Sequence, residues 1–190
     1  MMDKAGASTE PCVLDFASDS EPGGGWKGKQ RGTQEEGLCR ASNLGVCLEE
    51  HYERVGTASY MPHLAVVYCP DVIVFRDCRS NRLLEQPFWL GVVAAALRCT
   101  GSDVDIRAKI DGVLRVASYH GHRQLVLGAW GCGAFGNDPG TIAGHMFAAV
   151  RECQAWFDHV VFAIPRGDNF DAFHAKLQGC CDLAAASSRC

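Results

Sequence analysis

The sequence predicts an α/β sandwich, in which helices pack on both faces of a central sheet. Short apolar runs rich in β-branched residues recur along the 190 residues, and segments with helical apolar spacing lie between them. The apolar runs are nearly continuous, which is typical of strands that are covered on both faces. Because strands and helices alternate along the chain, we expect a single α/β domain.

Six apolar runs are the predicted strands: residues 13–17, 64–69, 72–75, 90–96, 124–127 and 160–164. The run at 90–96 is ambiguous, because its three consecutive alanines would suit a helix equally well.

Helices are predicted between these strands. The segment 33–54 carries four apolar residues at helical spacing: Leu38, Ala41, Leu44 and Leu48. The segment 105–119 has the same periodicity. A third helix is expected over residues 139–157, because a proline such as Pro139 suits the first helical turn. A short helix should follow Asp168.

The composition excludes several classes of protein. No apolar run reaches the roughly 18–20 residues needed to span a bilayer, and a net charge of −4 disfavours DNA or RNA as a partner. The eleven cysteines contain no C-x-x-C pair, and the seven histidines show no zinc spacing, so a metal site is not expected. Unpaired cysteines and a polar N-terminus favour a cytoplasmic or nuclear protein that is not secreted. We expect one domain over residues 12–178, with flexible tails at 1–11 and 179–190.

The most informative motif follows the first predicted strand. It consists of three glycines and, eight residues later, an amide and two acids: Gly23, Gly24, Gly25, Gln34, Glu35 and Glu36. A glycine turn before an acidic helix start brings backbone N–H groups and a carboxylate together, which suits a phosphorylated sugar.

A structural interpretation of the same residues is also open. Thr33 and Glu36 form the pattern of a capping box. The negative charge of Glu35 could simply interact favourably with the dipole at the start of the helix. Asp15 is harder to explain in this way, because an acid inside an apolar strand is costly unless it has partners.

A second glycine loop spans residues 128–139 and contains G-x-G-x-x-G at 131–136. It follows a strand and opens a helix, so its backbone could wrap a diphosphate. A nicotinamide-dependent oxidoreductase is disfavoured, because that fingerprint belongs to the first strand–helix unit with an acid at the next strand's end. Here the loop comes late, and Glu152 falls inside the following helix.

Together, the two motifs resemble the microbial-type poly(ADP-ribose) glycohydrolases. The similarity continues through residues 36–40, 68–72, 74–77 and 128–139 and covers roughly residues 12–177. It implies a macrodomain-like, three-layer α/β/α sandwich with a mixed central sheet. It also implies hydrolysis of ribose–ribose glycosidic bonds in poly(ADP-ribose), or in ADP-ribosylated proteins, with ADP-ribose as the product and without a metal or cofactor.

By this resemblance, Glu36 is the catalytic acid and base, and Glu35 holds the ribose that is cleaved. The acid role requires a raised pKa of Glu36, which Glu35, partial burial and a bound diphosphate would favour. The remaining implied substrate-binding residues are Asp15, Gly23, Gly24, Gly25, Gln34, Gly131, Cys132, Gly133, Ala134, Phe135 and Asn137. Asn169 and Phe173 match a further element of the family near its C-terminus.

The chain departs from the family pattern at several places. Ala96-Leu97-Arg98 stands where relatives read Ala-Pro-Asn, and Arg166 lies where an acidic residue is expected. Two alternatives to polymer hydrolysis therefore stay open: a non-catalytic ADP-ribose-binding module and a hydrolase of single ADP-ribose units on protein side chains.

Overall fold

The computed structural model describes residues 10–28, 32–56, 60–98 and 102–187, with side chains described as far as residue 179. The elements in chain order are β1 Cys12–Phe16, α1 Gln34–Ala41, α2 Leu44–Val55, β2 Val67–Arg76, β3 Leu83–Ala95, α3 Asp103–Tyr119, β4 Gln124–Leu127, α4 Pro139–Glu152, β5 His159–Phe162 and α5 Asp168–Ser187.

These strands form one mixed sheet in the order β2-β3-β1-β4-β5. β3, β1, β4 and β5 run parallel to one another, while β2 is antiparallel to β3. Parallel neighbours end at the same edge of a sheet. The carboxyl ends of β1, β4 and β5 therefore lie side by side, and the loops that follow them meet there.

Alternate side chains of the central strands enter two separate cores. Val92 and Ala94 of β3 contact the cluster that contains the buried side chains of α1 and α2. Val93 and Ala95 contact the cluster formed with α3, α4 and α5. Period-2 alternation within an apolar run thus produces the predicted arrangement of a sheet between two helical layers.

The predicted helix over residues 33–54 is two helices, α1 and α2. Ser42 between them is extended, with φ −143° and ψ −178°, and pairs with Val74 of β2. The Asn43 side chain accepts a hydrogen bond of 2.9 Å from the Ile73 amide. Apolar spacing continues across the break, so the periodicity of the sequence did not reveal it.

The two predicted strands at 64–69 and 72–75 are one strand, β2. Its register against β3 shifts between Cys69 and Val72, where Asp71 adopts a positive φ of 54°. A bulge of this kind bends a strand without ending it.

The run at 90–96 is a strand, and β3 begins earlier, at Leu83. α4 is shorter than predicted and ends at Glu152, whereas α5 is longer and continues to Ser187. Part of the predicted tail at 179–190 is therefore helical, in keeping with the high helix propensity of its alanines. In the predicted tail at 1–11, residues 1–9 lie outside the described part of the chain. Among the described residues, no helix has the length and apolar character needed to cross a membrane.

The opposite end of the sheet is tied together by a buried histidine. His122 Nε2 lies 2.7 Å from the Tyr68 hydroxyl, and its Nδ1 lies 3.1 Å from the Glu10 carbonyl oxygen. The imidazole packs directly on Gly91 of β3, where an added Cβ would lie 2.4 Å from Nε2. Gly91 therefore makes room for the contact that fixes the start of β1.

We predict that Gly91→Ala destabilises the protein by about 1–3 kcal/mol, since overpacking displaces a well-packed side chain. Gly112→Ala, the same change inside α3, should be neutral or stabilise by about 0.5–1 kcal/mol. Its added Cβ would lie 3.4 Å from the Val66 side chain, which is an ordinary contact distance and causes no overlap. Denaturant unfolding of both variants checks this. Equal midpoints would contradict the proposed role of the Gly91 contact.

Candidate active site

A cleft of about 930 Å³ opens at the carboxyl ends of β1, β4 and β5. Its walls come from the loop after β1, the start of α1, the loop after β4 and the segment 163–169 that leads into α5. A volume of this size is typical of a site for a nucleotide-sized ligand. Both glycine motifs of the sequence thus reach the same cleft.

Gln34 fastens the start of α1 to β1. Its side-chain oxygen accepts a hydrogen bond of 2.8 Å from the Phe16 amide, and its side-chain nitrogen donates one of 2.8 Å to the Leu14 carbonyl. β4 pairs with β1 only at Cys12 and Val13. The Gln34 carboxamide therefore satisfies backbone groups on the part of this strand edge that β4 does not reach.

Glu35 and Glu36 lie side by side at the start of α1 and are almost fully buried, at 2% and 6% exposure. Glu35 Oε2 accepts a hydrogen bond of 2.7 Å from the Ser18 amide. Glu36 accepts one of 3.2 Å from the Gly25 amide at Oε1 and one of 2.9 Å from the Thr33 amide at Oε2. The capping interaction is thus present, and the same carboxyl group also faces the cleft.

The three glycines wrap around these acids. A Cβ on Gly24 would lie 3.1 Å from Glu35 Oε2 and 3.3 Å from Glu36 Oε1, and Gly24 has a positive φ of 54°. Only glycine combines that backbone conformation with such a close approach. The turn therefore holds the carboxylates in place with its backbone.

Arg40, one helical turn after Glu36, holds the glycine turn from the other side. Its Nε donates a hydrogen bond of 2.9 Å to the Trp26 carbonyl, and its guanidinium also contacts the Gly25 carbonyl at 3.3 Å. The Trp26 indole in turn donates to Glu49 of α2 at 3.2 Å. α1 and α2 thus fix both the acids and the turn that surrounds them.

The two acids differ in their electrostatics. Burial would raise the pKa of Glu36, but hydrogen bonds from the Thr33 and Gly25 amides outweigh it and lower the pKa below its ordinary value. The expected rise in the pKa of Glu36 is therefore not found. Burial instead raises the pKa of Glu35 to about 7, although amide hydrogen bonds lower it in part and the charge of Glu36 adds to the rise.

Asp15 lies beneath the acid pair and is fully buried. Neither of its carboxylate oxygens has a hydrogen-bond partner among the described residues, nor does Glu35 Oε1 or the hydroxyl of the buried Tyr60. Burial and then the charge of Glu35 raise the pKa of Asp15 well above its ordinary value. The protonated form of Asp15 is therefore favoured, since an ionised carboxylate without donors is costly in an apolar interior.

The second glycine loop is anchored by two buried side chains. The Trp130 indole donates a hydrogen bond of 2.9 Å to the Ala95 carbonyl of β3. The Asn137 side-chain nitrogen donates to the Leu97 carbonyl at 2.8 Å and to the Gly131 carbonyl at 2.9 Å. Asn137 thus closes the loop on itself.

The tip of this loop presents free donors to the cleft. Within the described part of the chain, the loop amides of Gly131, Gly133, Ala134 and Phe135 have no hydrogen-bond acceptor, and all four residues line the cleft. Phe135 also packs against the cluster of α1 and α2. Several adjacent free amides form a concave surface that suits an anion such as a diphosphate.

Most of the site residues predicted from sequence line the cleft, and four do not. The lining residues are Gly24, Gly25, Gln34, Glu35, Glu36, Gly131, Gly133, Ala134 and Phe135. The four that do not are Asp15, Gly23, Cys132 and Asn137. Asp15 belongs to β1, which is buried between two layers, and the Asn137 side chain is hydrogen-bonded to the Leu97 and Gly131 carbonyls. Of the two C-terminal residues, Asn169 lines the cleft, while Phe173 is buried against Phe147 and Phe162.

Sequence reasoning missed the residues that other loops add to the wall. Ser20 and Glu21 follow β1, and Arg166 and Asp168 follow β5. The only signal for Arg166 was its departure from the acidic residue expected there. Among the described residues, no cluster of His, Cys, Asp or Glu is arranged to hold a metal ion.

Fold and site together define a macrodomain-like protein with a carboxylate pair and a loop of free backbone amides in one cleft. Residues 1–77 match the family model for the catalytic domain of microbial-type PARG, that is, poly(ADP-ribose) glycohydrolase. No curated protein matches the chain.

Solved structures agree with this match. The chain is similar to poly(ADP-ribose) glycohydrolase from Deinococcus radiodurans in complex with ADP-ribose, with 30% identity, a TM-score of 0.76 and coverage of 91% of this chain and 77% of that one. The enzyme from Thermomonospora curvata bound to the inhibitor ADP-HPD is 34% identical, with a TM-score of 0.72 over 90% and 71% of the two chains. The chain therefore belongs to the microbial-type poly(ADP-ribose) glycohydrolase family.

We predict that Asp15→Asn stabilises the protein increasingly as pH rises from 5 to 8. In the native protein burial raises the pKa of Asp15 well above 3.8, the ordinary value near which it ionises in the unfolded chain. Its contribution to stability is therefore largest at low pH and falls as pH rises toward the native pKa, by about 1.4 kcal/mol per pH unit. Asparagine does not titrate and is free of this loss.

Thermal melts of wild type and variant at pH 5, 6, 7 and 8 measure the difference. Asp171→Asn, at an exposed position of α5, is the control and should shift the melting temperature little at any of these pH values. A benefit of Asp15→Asn that shrinks as pH rises would show that native Asp15 is ionised.

Proposed function

We propose that this chain is a poly(ADP-ribose) glycohydrolase that hydrolyses ribose–ribose glycosidic bonds and releases ADP-ribose, with Glu36 as general acid and base. The observation that carries the proposal is that the buried pair Glu35–Glu36 and the four free amides of the second glycine loop face the same cleft. The acids suit a sugar, the amides suit a diphosphate, and ADP-ribose contains both.

The sheet order gives the ligand a direction. The acids follow β1, and the amide loop follows β4, which is the adjacent strand. The ribose whose bond is cleaved lies against Glu35 and Glu36, and the diphosphate lies on the amides about one strand spacing of 4.8 Å away. Phe135, between the loop and the α1–α2 layer, packs beside the distal ribose.

Cleavage of a ribose–ribose bond passes through an oxocarbenium-like state. Glu36 protonates the leaving 2′-oxygen, and its carboxylate then activates the water that attacks the sugar. Glu35 accepts hydrogen bonds from the ribose hydroxyls and holds the ring in position. These steps use only side chains present in the cleft.

The low pKa of Glu36 suits the second step, in which the carboxylate acts as a base. For the first step Glu36 must gain a proton. A diphosphate bound on the neighbouring loop raises the pKa of nearby carboxyl groups, because like charges disfavour ionisation. Glu35, with a pKa of about 7, is the adjacent group that holds a proton near neutral pH.

We further propose that the catalytic domain is formed by residues 12–178, and that its partners are poly(ADP-ribose) or ADP-ribosylated proteins rather than nucleic acid. A reducing, non-secreted compartment fits the described cysteines, which are all free thiols. Burial raises the pKa of the Cys12 thiol to about 12, so this side chain acts as a small apolar residue.

We predict that Glu36→Gln abolishes release of ADP-ribose from purified poly(ADP-ribose) but leaves ADP-ribose affinity within a few-fold. Glutamine keeps the shape of the side chain and one acceptor oxygen for the amides of Gly25 and Thr33 but cannot transfer the proton. Glu50→Gln, on the exposed face of α2, is the matched control and should keep full turnover.

The outcomes separate the rival functions. Binding of ADP-ribose without turnover by the wild type would identify a non-catalytic binding module. Turnover of mono-ADP-ribosylated protein alone would identify a hydrolase of single units. Loss of turnover in Glu35→Gln but not in Glu36→Gln would exchange the roles of the two acids.

We predict that Gly133→Leu blocks ADP-ribose binding without unfolding the protein. A Cβ on Gly133 meets no atom within 4 Å, so a larger side chain fits the fold and fills the space above the loop amides. Gly179→Leu is the matched control, because an added Cβ there also meets nothing within 4 Å and α5 carries it away from the cleft. Unchanged affinity in Gly133→Leu would remove the diphosphate assignment.

A further inference from the structure

The cleft extends beyond the diphosphate loop to a segment whose sequence departs from the family. Residues 163–169, from the end of β5 into the first turn of α5, form one of its walls. Arg166 lies in this wall and is the one basic residue among the described residues that line the cleft; the acidic ones are Glu21, Glu35, Glu36 and Asp168.

The Arg166 guanidinium is supported by an aromatic stack on α5. Its carbon lies over the Phe170 ring, 5.1 Å from the ring centre. Phe170 is stacked in turn on His174, with ring centres 5.7 Å apart and planes within 9°. Phe170 and His174 are spaced four apart on α5 and therefore share one face of that helix. Arg166 precedes the helix in the chain, and its guanidinium packs against a ring of the first helical turn.

The sheet order decides which part of a ligand reaches Arg166. With the cleaved ribose at β1 and the diphosphate at the loop after β4, the remaining adenosine half extends over β5. This strand lies about 10 Å from β1, which is two strand spacings. The part of ADP-ribose that comes next after the diphosphate is the second ribose and then the adenine.

On the basis of this order, and resting on the proposed function, we propose that Arg166 is a specificity-determining residue whose guanidinium, backed by Phe170, forms the platform on which adenine stacks. Guanidinium planes stack on nucleobases as aromatic rings do. Support by Phe170 lowers the entropy that is lost when the side chain is fixed. Lysine lacks the planar group and cannot form this platform.

The test compares Arg166→Ala with Arg166→Lys, which retains the charge but not the plane. Affinity for ADP-ribose should fall roughly tenfold in both variants, in line with the typical contribution of base stacking. Phe170→Leu should weaken binding by less, because the guanidinium remains. Since the cleaved bond lies at the other end of the cleft, kcat on poly(ADP-ribose) should stay near wild type while KM rises.

Arg151→Ala is the matched control, because it removes the same charge from the last turn of α4. The cleft lies at the other end of that helix. Its affinity should equal that of the wild type. Wild-type affinity in Arg166→Lys together with a loss in Arg166→Ala would overturn the platform in favour of charge pairing with phosphate. Unchanged affinity in Arg166→Ala would show that Arg166 does not contact the ligand. These results leave the glycohydrolase proposal standing, whereas a wild type that neither binds ADP-ribose nor cleaves the polymer overturns both.

Discussion

The pair of hydrogen bonds between the Gln34 side chain and the β1 backbone is the constraint on which the site depends. It fixes where α1 begins relative to the central strand of the sheet. Glu35 and Glu36 follow directly in the chain, so their position is set by the same two bonds. The glycine turn, Arg40 and Trp26 then close around acids that are already in place. A site built on a strand and a helix in this way is more rigid than one built on loops alone.

This rigid framework holds acids in buried positions that are energetically unfavourable for carboxylates. Asp15, Glu35 and Glu36 are all buried in one place, and three ionised carboxylates so close together would repel one another strongly. The surroundings of each acid shift its pKa in a different way. Backbone amides lower the pKa of Glu36, burial brings the pKa of Glu35 to about 7, and burial raises the pKa of Asp15 well above its ordinary value. The environment thus moves the pKa values of the three acids apart, which is the condition for acid and base chemistry at one site.

The sequence revealed the parts of this arrangement that depend on neighbours along the chain. The glycine triplet, the acid pair and the capping pattern around Thr33 are local, and so are the strand–loop–helix units. Contacts that depend on strand order could not be read in this way. Tyr60 reaches the buried acids from a segment 45 positions beyond Asp15, and Arg166 reaches the cleft only because β5 lies next to β4. The break at Ser42 was also hidden, because it is made by pairing with β2 rather than by a glycine or proline.

The amides of the two glycine motifs have different partners, and the difference has an electrostatic consequence. The first motif directs amides at the protein's own acids, and the second has amides that face the cleft without an acceptor among the described residues. A lysine or arginine beside the acid pair would bind the diphosphate more strongly, but it would also lower the pKa of Glu35 and Glu36 and remove the proton that cleavage needs. Neutral backbone amides attract the anion with partial charges only. Among the described lining residues, the one full positive charge, Arg166, lies over β5, two strands away from the acids. The proposed binding of an anionic ligand to these amides therefore leaves cationic charge away from the acid pair.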